Sequence, residues 1–247
     1  MIGAQAVFEM TKHRDDLPFT LTKDADTSLA PGLVDPAFEI GAAMEAAGFH
    51  LKRQGRPGIW CIPAPGMGSD PDDTGFDILV PEAVAGPGRR GARLEGQDKM
   101  AVGRAEGIEL SLIDRHERRI EALDGSSRFV DAFVAGPAAI LCAKSFKLME
   151  RIQNRNAGRR DRLRPKDASD AWLIMNTSDP GEVRRIFDTA EADPVMGASV
   201  RRGRDYLVTL FTDGGDGVDL AVNDYRSRLD EGLVRRLMSA WMTDFGQ

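Results

Sequence analysis

The sequence predicts an α+β protein in which a mixed sheet with flanking helices is followed by a helical C-terminal half. Three observations carry that expectation. Short apolar stretches with a period of two recur through the first 128 residues, with one well-signalled helix among them. From about residue 129 the period shifts towards 3.6 and long amphipathic segments dominate. The chain has 247 residues, 42% of them hydrophobic and 29% charged, which is enough material for a sizeable core. The expected division is an α/β core over 1–128 and a helical domain over 129–247.

The elements follow in order. The opening MIGAQAVFEM reads as a short apolar segment entering a helix, with Gly3 near the junction. Residues 18–29 read as a strand. The segment 35–49 reads as a helix, with Asp35 as its cap, Pro36 in its first turn and Gly48 at its end. HLKRQGRPGIWCIP reads as two short strands around a Gly/Pro turn, and TGFDILVPE (74–82) as a further strand closed by Pro81. Residues 84–99, rich in Gly and Arg, read as a loop with some strand. GIELSLID (107–114) alternates apolar and polar residues and is expected to be a strand. Helices are expected over 137–153, 164–176, 180–192, 198–211 and 230–245, with the Gly/Asp-rich TDGGDGVD (212–219) as a linker.

Composition bounds the function. No run of 18 apolar residues is present, so no membrane-spanning helix is expected. The N-terminus lacks the basic, apolar and small-residue succession of a signal peptide. Two distant cysteines, Cys61 and Cys142, suit buried thiols in a reducing cytosol. His13, His50 and His116 have no metal-ligand spacing. A formal net charge of −6 argues against general coating of nucleic acid. The segment 151–166, RIQNRNAGRRDRLRPK, nevertheless holds seven basic residues and one acidic residue, a patch able to meet phosphate groups.

One set of residues points to chemistry. In a strand, Asp24 and Asp26 project from the same face. Two carboxylates so close repel one another unless a cation lies between them, and hard oxygen ligands suit Mg²⁺. Asp77, set in the apolar run FDILV, is costly to bury without a partner. If the two strands are neighbours, Asp24, Asp26 and Asp77 can hold two metal ions at one end of a sheet, an arrangement suited to in-line phosphoryl or nucleotidyl transfer. The helix that begins at Pro137 supplies opposite charge. Lys144, Lys147 and Arg151 fall close together on its wheel, while Cys142, Phe146 and Met149 take the other side. Asp167 and Asp170, three residues apart at the start of the next helix, also share a face.

These pieces resemble the DNA polymerase β-type nucleotidyltransferase superfamily: IGAQAV, then TKDAD, then a strand bearing FDILV. The later pair, PAAILCAKSFKLMER and RLRPKDASDAWLIM, is similar to the AbiEii-like branch, which includes toxins of abortive-infection toxin–antitoxin systems. The resemblance spans about residues 1–177. It implies that Gly3 and Ala4 approach the nucleotide phosphates and that Asp24, Asp26 and Asp77 bind two Mg²⁺ ions. Asp77 would also help activate the attacking hydroxyl. Lys144, Lys147 and Arg151 would hold the triphosphate, and Lys166 or Asp170 would complete the pocket. The implied reaction moves a nucleoside monophosphate from an NTP such as ATP to an acceptor, among them RNA and notably tRNA, in the cytoplasm. A cognate antitoxin protein is an implied partner. Relatives carry Gly-Gly or Gly-Ser where this chain has Gly3-Ala4.

Overall fold

The computed structural model describes residues 1–14, 16–18, 22, 24–52, 56–63, 74–122, 124–160 and 162–247. Within them the chain is α+β, with a mixed five-stranded sheet, a two-stranded hairpin and eight α-helices. The expected strand over 18–29 is seen as β1 (Ala25–Ser28); Phe19, Thr20, Leu21 and Lys23 lie outside the described residues.

The centre of the sheet is β4 (Thr74–Pro81), the longest of its strands. It pairs with β1 in parallel, with β3 (Ile59–Ile62) antiparallel along its first half, and with β5 (Gly103–Ala105) in parallel along its second. β2 (His50–Leu51) closes the edge beyond β3. Alternation along β4 sends Phe76, Ile78 and Val80 to one face, where they meet Ile40 and Trp60. Gly75, Asp77 and Leu79 go to the other face. There α1 (Gly3–Thr11) packs, and its Ala6 and Val7 join the core of the helical half.

That helical half is built on α3 (Pro137–Asn156), α4 (Lys166–Met175), α5 (Pro180–Glu191), α6 (Gly197–Phe211), α7 (Asp216–Tyr225) and α8 (Glu231–Gly246). Pro137 occupies the first turn of α3, where no N–H is needed, and the buried Asp114 carboxylate accepts the N–H of Ala139 at 2.8 Å. Asp179 and Asp230 cap α5 and α8 by accepting the N–H of Glu182 and Leu233. Trp172, Phe187 and Phe211 are fully buried between these helices, and each contributes about 1.5–3 kcal/mol of transfer free energy.

Four local readings differ from the sequence pattern. Residues 109–112 form a 3₁₀ turn, not a strand: Gly107, at φ +86°, turns the chain, and its N–H donates to the Glu109 carboxylate at 2.8 Å. Ile108 and Leu110 still reach the core, so alternation marked burial and not extension. The helix expected over 35–49 is α2 (Ile40–Ala46) alone, because the Asp35 side chain accepts the N–H of Ala37 in a tight turn. The expected linker 212–219 turns at Thr212–Gly215 and then becomes the first turn of α7. Finally, β6 (Arg115–Glu121) and β7 (Phe129–Ala135) form a hairpin that straddles the 128/129 division. β6 is almost wholly charged, so no apolar alternation announced it. Among the described residues no helix is long and apolar enough to cross a membrane.

Candidate functional site

A cavity of about 750 Å³ lies between the sheet, the start of α1, and the helices α3 and α4. It falls in the size range of small-molecule sites. Each of Gly3, Ala4, Asp24, Asp26, Asp77, Lys144, Lys147, Arg151, Lys166 and Asp170 lines it. Asp167, which the sequence set beside Asp170 on one helix face, lines it too, as do Phe146, Arg104 and Glu106, and the last two were not among the sequence candidates. Phe146 sits at the cavity edge while packing edge-on against Tyr206, so it does not point wholly away from the basic face of α3.

The sheet supplies the acidic wall. β1 and β4 run parallel in a register that places Asp26 beside Asp77. Asp24, just before β1, is exposed and accepts the Gly75 N–H at 3.2 Å. Burial pushes the Asp77 carboxyl up to about 7, reinforced by repulsion from Asp26 and Asp24 and opposed by Lys52 and Lys147. Burial raises Asp26 as well, against the pull of Lys147 and Lys144. Gly3 begins α1 at φ +73°, a conformation that favours glycine, and a Cβ there would run into the Asp26 carboxylate. The start of α1 therefore rests directly on Asp26, and Ile2 N–H donates to the Asp26 carbonyl at 2.9 Å.

The helices supply the basic wall. Lys144 is 4% exposed and donates to Asp167 at 3.0 Å and to Asp170 at 2.5 Å. Arg151 donates to Asp167 at 2.6 Å, Lys147 lies 3.1 Å from the same carboxylate, and Lys166 lies 3.0 Å from Asp170. Burial opposes the charges in this network but is outweighed. Asp167 and Asp170 hold the Lys144 ammonium up at about 12, and Lys144, Lys147 and Arg151 hold Asp167 well below the usual carboxylate range. Four cations meet two carboxylates, so the wall keeps an excess of positive charge facing the cavity. Lys144 is committed to the two aspartates; the more exposed members are Lys147, Lys166 and Arg151. The basic segment continues beyond this wall into a second hollow of about 380 Å³, shared by Arg151, Arg159, Arg160 and Arg162.

Among the described residues, no three Asp, Glu, His or Cys side chains lie close enough together to hold a metal ion. The neighbouring pair is Asp26 and Asp77, with Asp24 turned to Gly75. The chemistry of the donor set nevertheless fits a divalent cation. The donors are hard carboxylate oxygens, and the two in register are pushed towards protonation by desolvation first and then by repulsion from neighbouring carboxylates, which a bound cation relieves. Cys61 and Cys142 are buried and unbridged. Comparison with protein-family models, curated proteins and solved structures found no match.

Proposed function

We propose that the protein is a Mg²⁺-dependent nucleotidyltransferase that moves a nucleoside monophosphate from an NTP to an acceptor and releases pyrophosphate. The observation that carries this reading is the opposition of charges across one cavity, with Asp26 and Asp77 in register on the sheet and the cationic wall of α3 and α4 facing them. Asp26 and Asp77, with Asp24, would hold the metal, which neutralises charge on the phosphates during transfer. Lys147, Arg151 and Lys166 would grip the triphosphate, with Arg151 suited to a two-pronged hold on phosphate oxygens. Lys144 anchors that wall through Asp167 and Asp170. The N-terminus of α1, at Gly3 and Ala4, lends backbone N–H groups and a favourable dipole to a phosphate. Asp77 would take the proton of the attacking hydroxyl, as the family resemblance implies. RNA as the acceptor, and a toxin role with an antitoxin partner, rest on the family resemblance.

A second reading, nucleotide binding without turnover, is favoured by the engagement of Asp24 with Gly75 and of Lys144 with two aspartates. One assay separates the two: incubation of the protein with Mg²⁺, each α-labelled NTP and total RNA. The enzyme reading predicts labelled product that Asp24→Asn and Asp26→Asn abolish without unfolding the protein. Thermal stabilisation by NTP with no labelled product or released pyrophosphate would favour the second reading, and unchanged transfer in both variants would remove the metal assignment.

A further inference from the structure

The sheet continues past Asp77 on the same face as the cavity, and the residues found there are unassigned. Pairing places Ile59 beside Asp77 and Cys61 beside Gly75, on the strand next to β4. On the edge strand, His50 lies beside Cys61, and the Lys52 N–H donates to the Ile59 carbonyl at 2.8 Å. Leu51 and Trp60 pack into the opposite core, so His50 and Lys52 share the face of Asp77. Two rows thus cross the sheet, Asp24–Gly75–Cys61–His50 and Asp26–Asp77–Ile59–Lys52. The imidazole of His50 is exposed and held with its Nε2 3.1 Å from Cys61 Sγ. Lys52 is half-buried and takes part in no ion pair among the described residues.

The basic wall of α3 and α4 and this lysine lie on opposite flanks of the carboxylates. In the order β1-β4-β3-β2, α1 packs on β1 and meets α3 and α4, whereas Lys52 follows β2 at the far edge of the sheet. In-line transfer requires the attacking oxygen and the leaving oxygen to stand on opposite sides of the reacting phosphorus. With pyrophosphate against α3 and α4, the acceptor arrives over β3 and β2. The hollow lined by Arg159, Arg160 and Arg162 adjoins the α3 wall and so belongs to the leaving-group side.

We propose that Lys52, flanked by His50, binds a phosphate group that the acceptor carries close to its reacting hydroxyl. This rests on the nucleotidyltransferase reading above. In the step it serves, the acceptor oxygen forms a bond to the α-phosphorus and the bond from that phosphorus to the β-bridging oxygen breaks. The hydroxyl proton passes to Asp77, and pyrophosphate leaves. Lys52 touches only the acceptor. The phosphate can come from an RNA chain or from a small phosphorylated sugar.

The test is transfer from α-labelled NTP with Mg²⁺ to water, to a short oligoribonucleotide with a free 3′-hydroxyl, and to ribose 5-phosphate. Lys52→Met keeps the aliphatic stem and removes the charge. It should raise KM for a phosphate-bearing acceptor at least about tenfold while KM for NTP changes less than about twofold, and Lys52→Arg should recover most of the loss. The acceptor that shows the effect identifies the source of the phosphate. Equal KM for the acceptor in wild type and Lys52→Met, or a parallel rise in both KM values, would overturn the proposal. Wild-type protein that releases NMP to water but labels neither acceptor would overturn it while leaving the nucleotidyltransferase reading in place. No product of any kind would remove that reading and this proposal together.

Discussion

Two groups of aspartates face the same cavity and meet opposite fates. On the helices, Asp167 and Asp170 are enclosed by Lys144, Lys147, Arg151 and Lys166 at 2.5–3.1 Å, and Asp167 is held firmly ionised. On the sheet, Asp26 and Asp77 stand side by side with no ion pair among the described residues, and both are pushed towards protonation. The contrast separates structure from function. Charges satisfied within the chain build a wall, whereas buried carboxylates without such partners are the candidates for binding something from outside.

The largest effect is expected on the satisfied side. Asp167→Asn leaves Lys144 buried with one carboxylate and takes a partner from Arg151 and Lys147. It should cost about 3–5 kcal/mol, read as a lower urea midpoint at unchanged slope. A near-neutral result would show the network to be dispensable. On the unsatisfied side, Asp26→Asn should leave stability intact and cut label transfer about 10²–10³-fold. Equal losses of stability in both variants would erase the comparison.

Gly3 connects the two halves of the site, and Gly3→Ala is expected to have an intermediate effect. The φ of +73° and the nearby Asp26 carboxylate together should cost about 1–3 kcal/mol and displace Asp26, so stability and transfer fall together. A fall in stability alone would separate Gly3 from the site.

The smallest effect is on pH dependence, and here the signs are opposite. Asp77 holds its proton up to about pH 7 in the folded chain but only to about 4 unfolded. Between those values the native state binds the extra proton, so metal-free stability falls as pH rises. Asp77→Asn should flatten that slope and raise metal-free stability at pH 8 by about 1 kcal/mol, a figure kept low because the group is partly solvated. Asp167, with its depressed pKa, contributes stability above about pH 4 that is lost as pH falls below it. Denaturant curves from pH 3 to 8 would reveal both trends; a stability that rises between pH 5 and 8 would contradict the assignment of Asp77.

Much of this was legible in the sequence. The same-face pair Asp24 and Asp26, the costly Asp77 and the basic run on α3 are local patterns, and all line one cavity. The register of Asp26 with Asp77 could only be conjectured, because pairing between distant strands leaves no local mark. Lys144 read as one of three cations on a single helix face able to hold a triphosphate, but it is buried against Asp167 and Asp170, which come from another helix and could not be paired with it from the sequence. Lys52 drew no attention and His50 was set aside for lacking metal-ligand spacing, because their place depends on the order β1-β4-β3-β2. The charged strand β6 was silent for a different reason: it pairs with β7 through backbone and sends only Ile120 towards the core.

The central claim is that the unsatisfied carboxylates take a divalent cation. Titration of Mn²⁺ into wild type and Asp26→Asn, each saturated with a non-hydrolysable NTP and with Mg²⁺ as competitor, measures it directly. The account predicts tight Mn²⁺ binding in the wild type, displaced by Mg²⁺ and weakened at least about tenfold in Asp26→Asn. Equal Mn²⁺ affinity in the two proteins would contradict it.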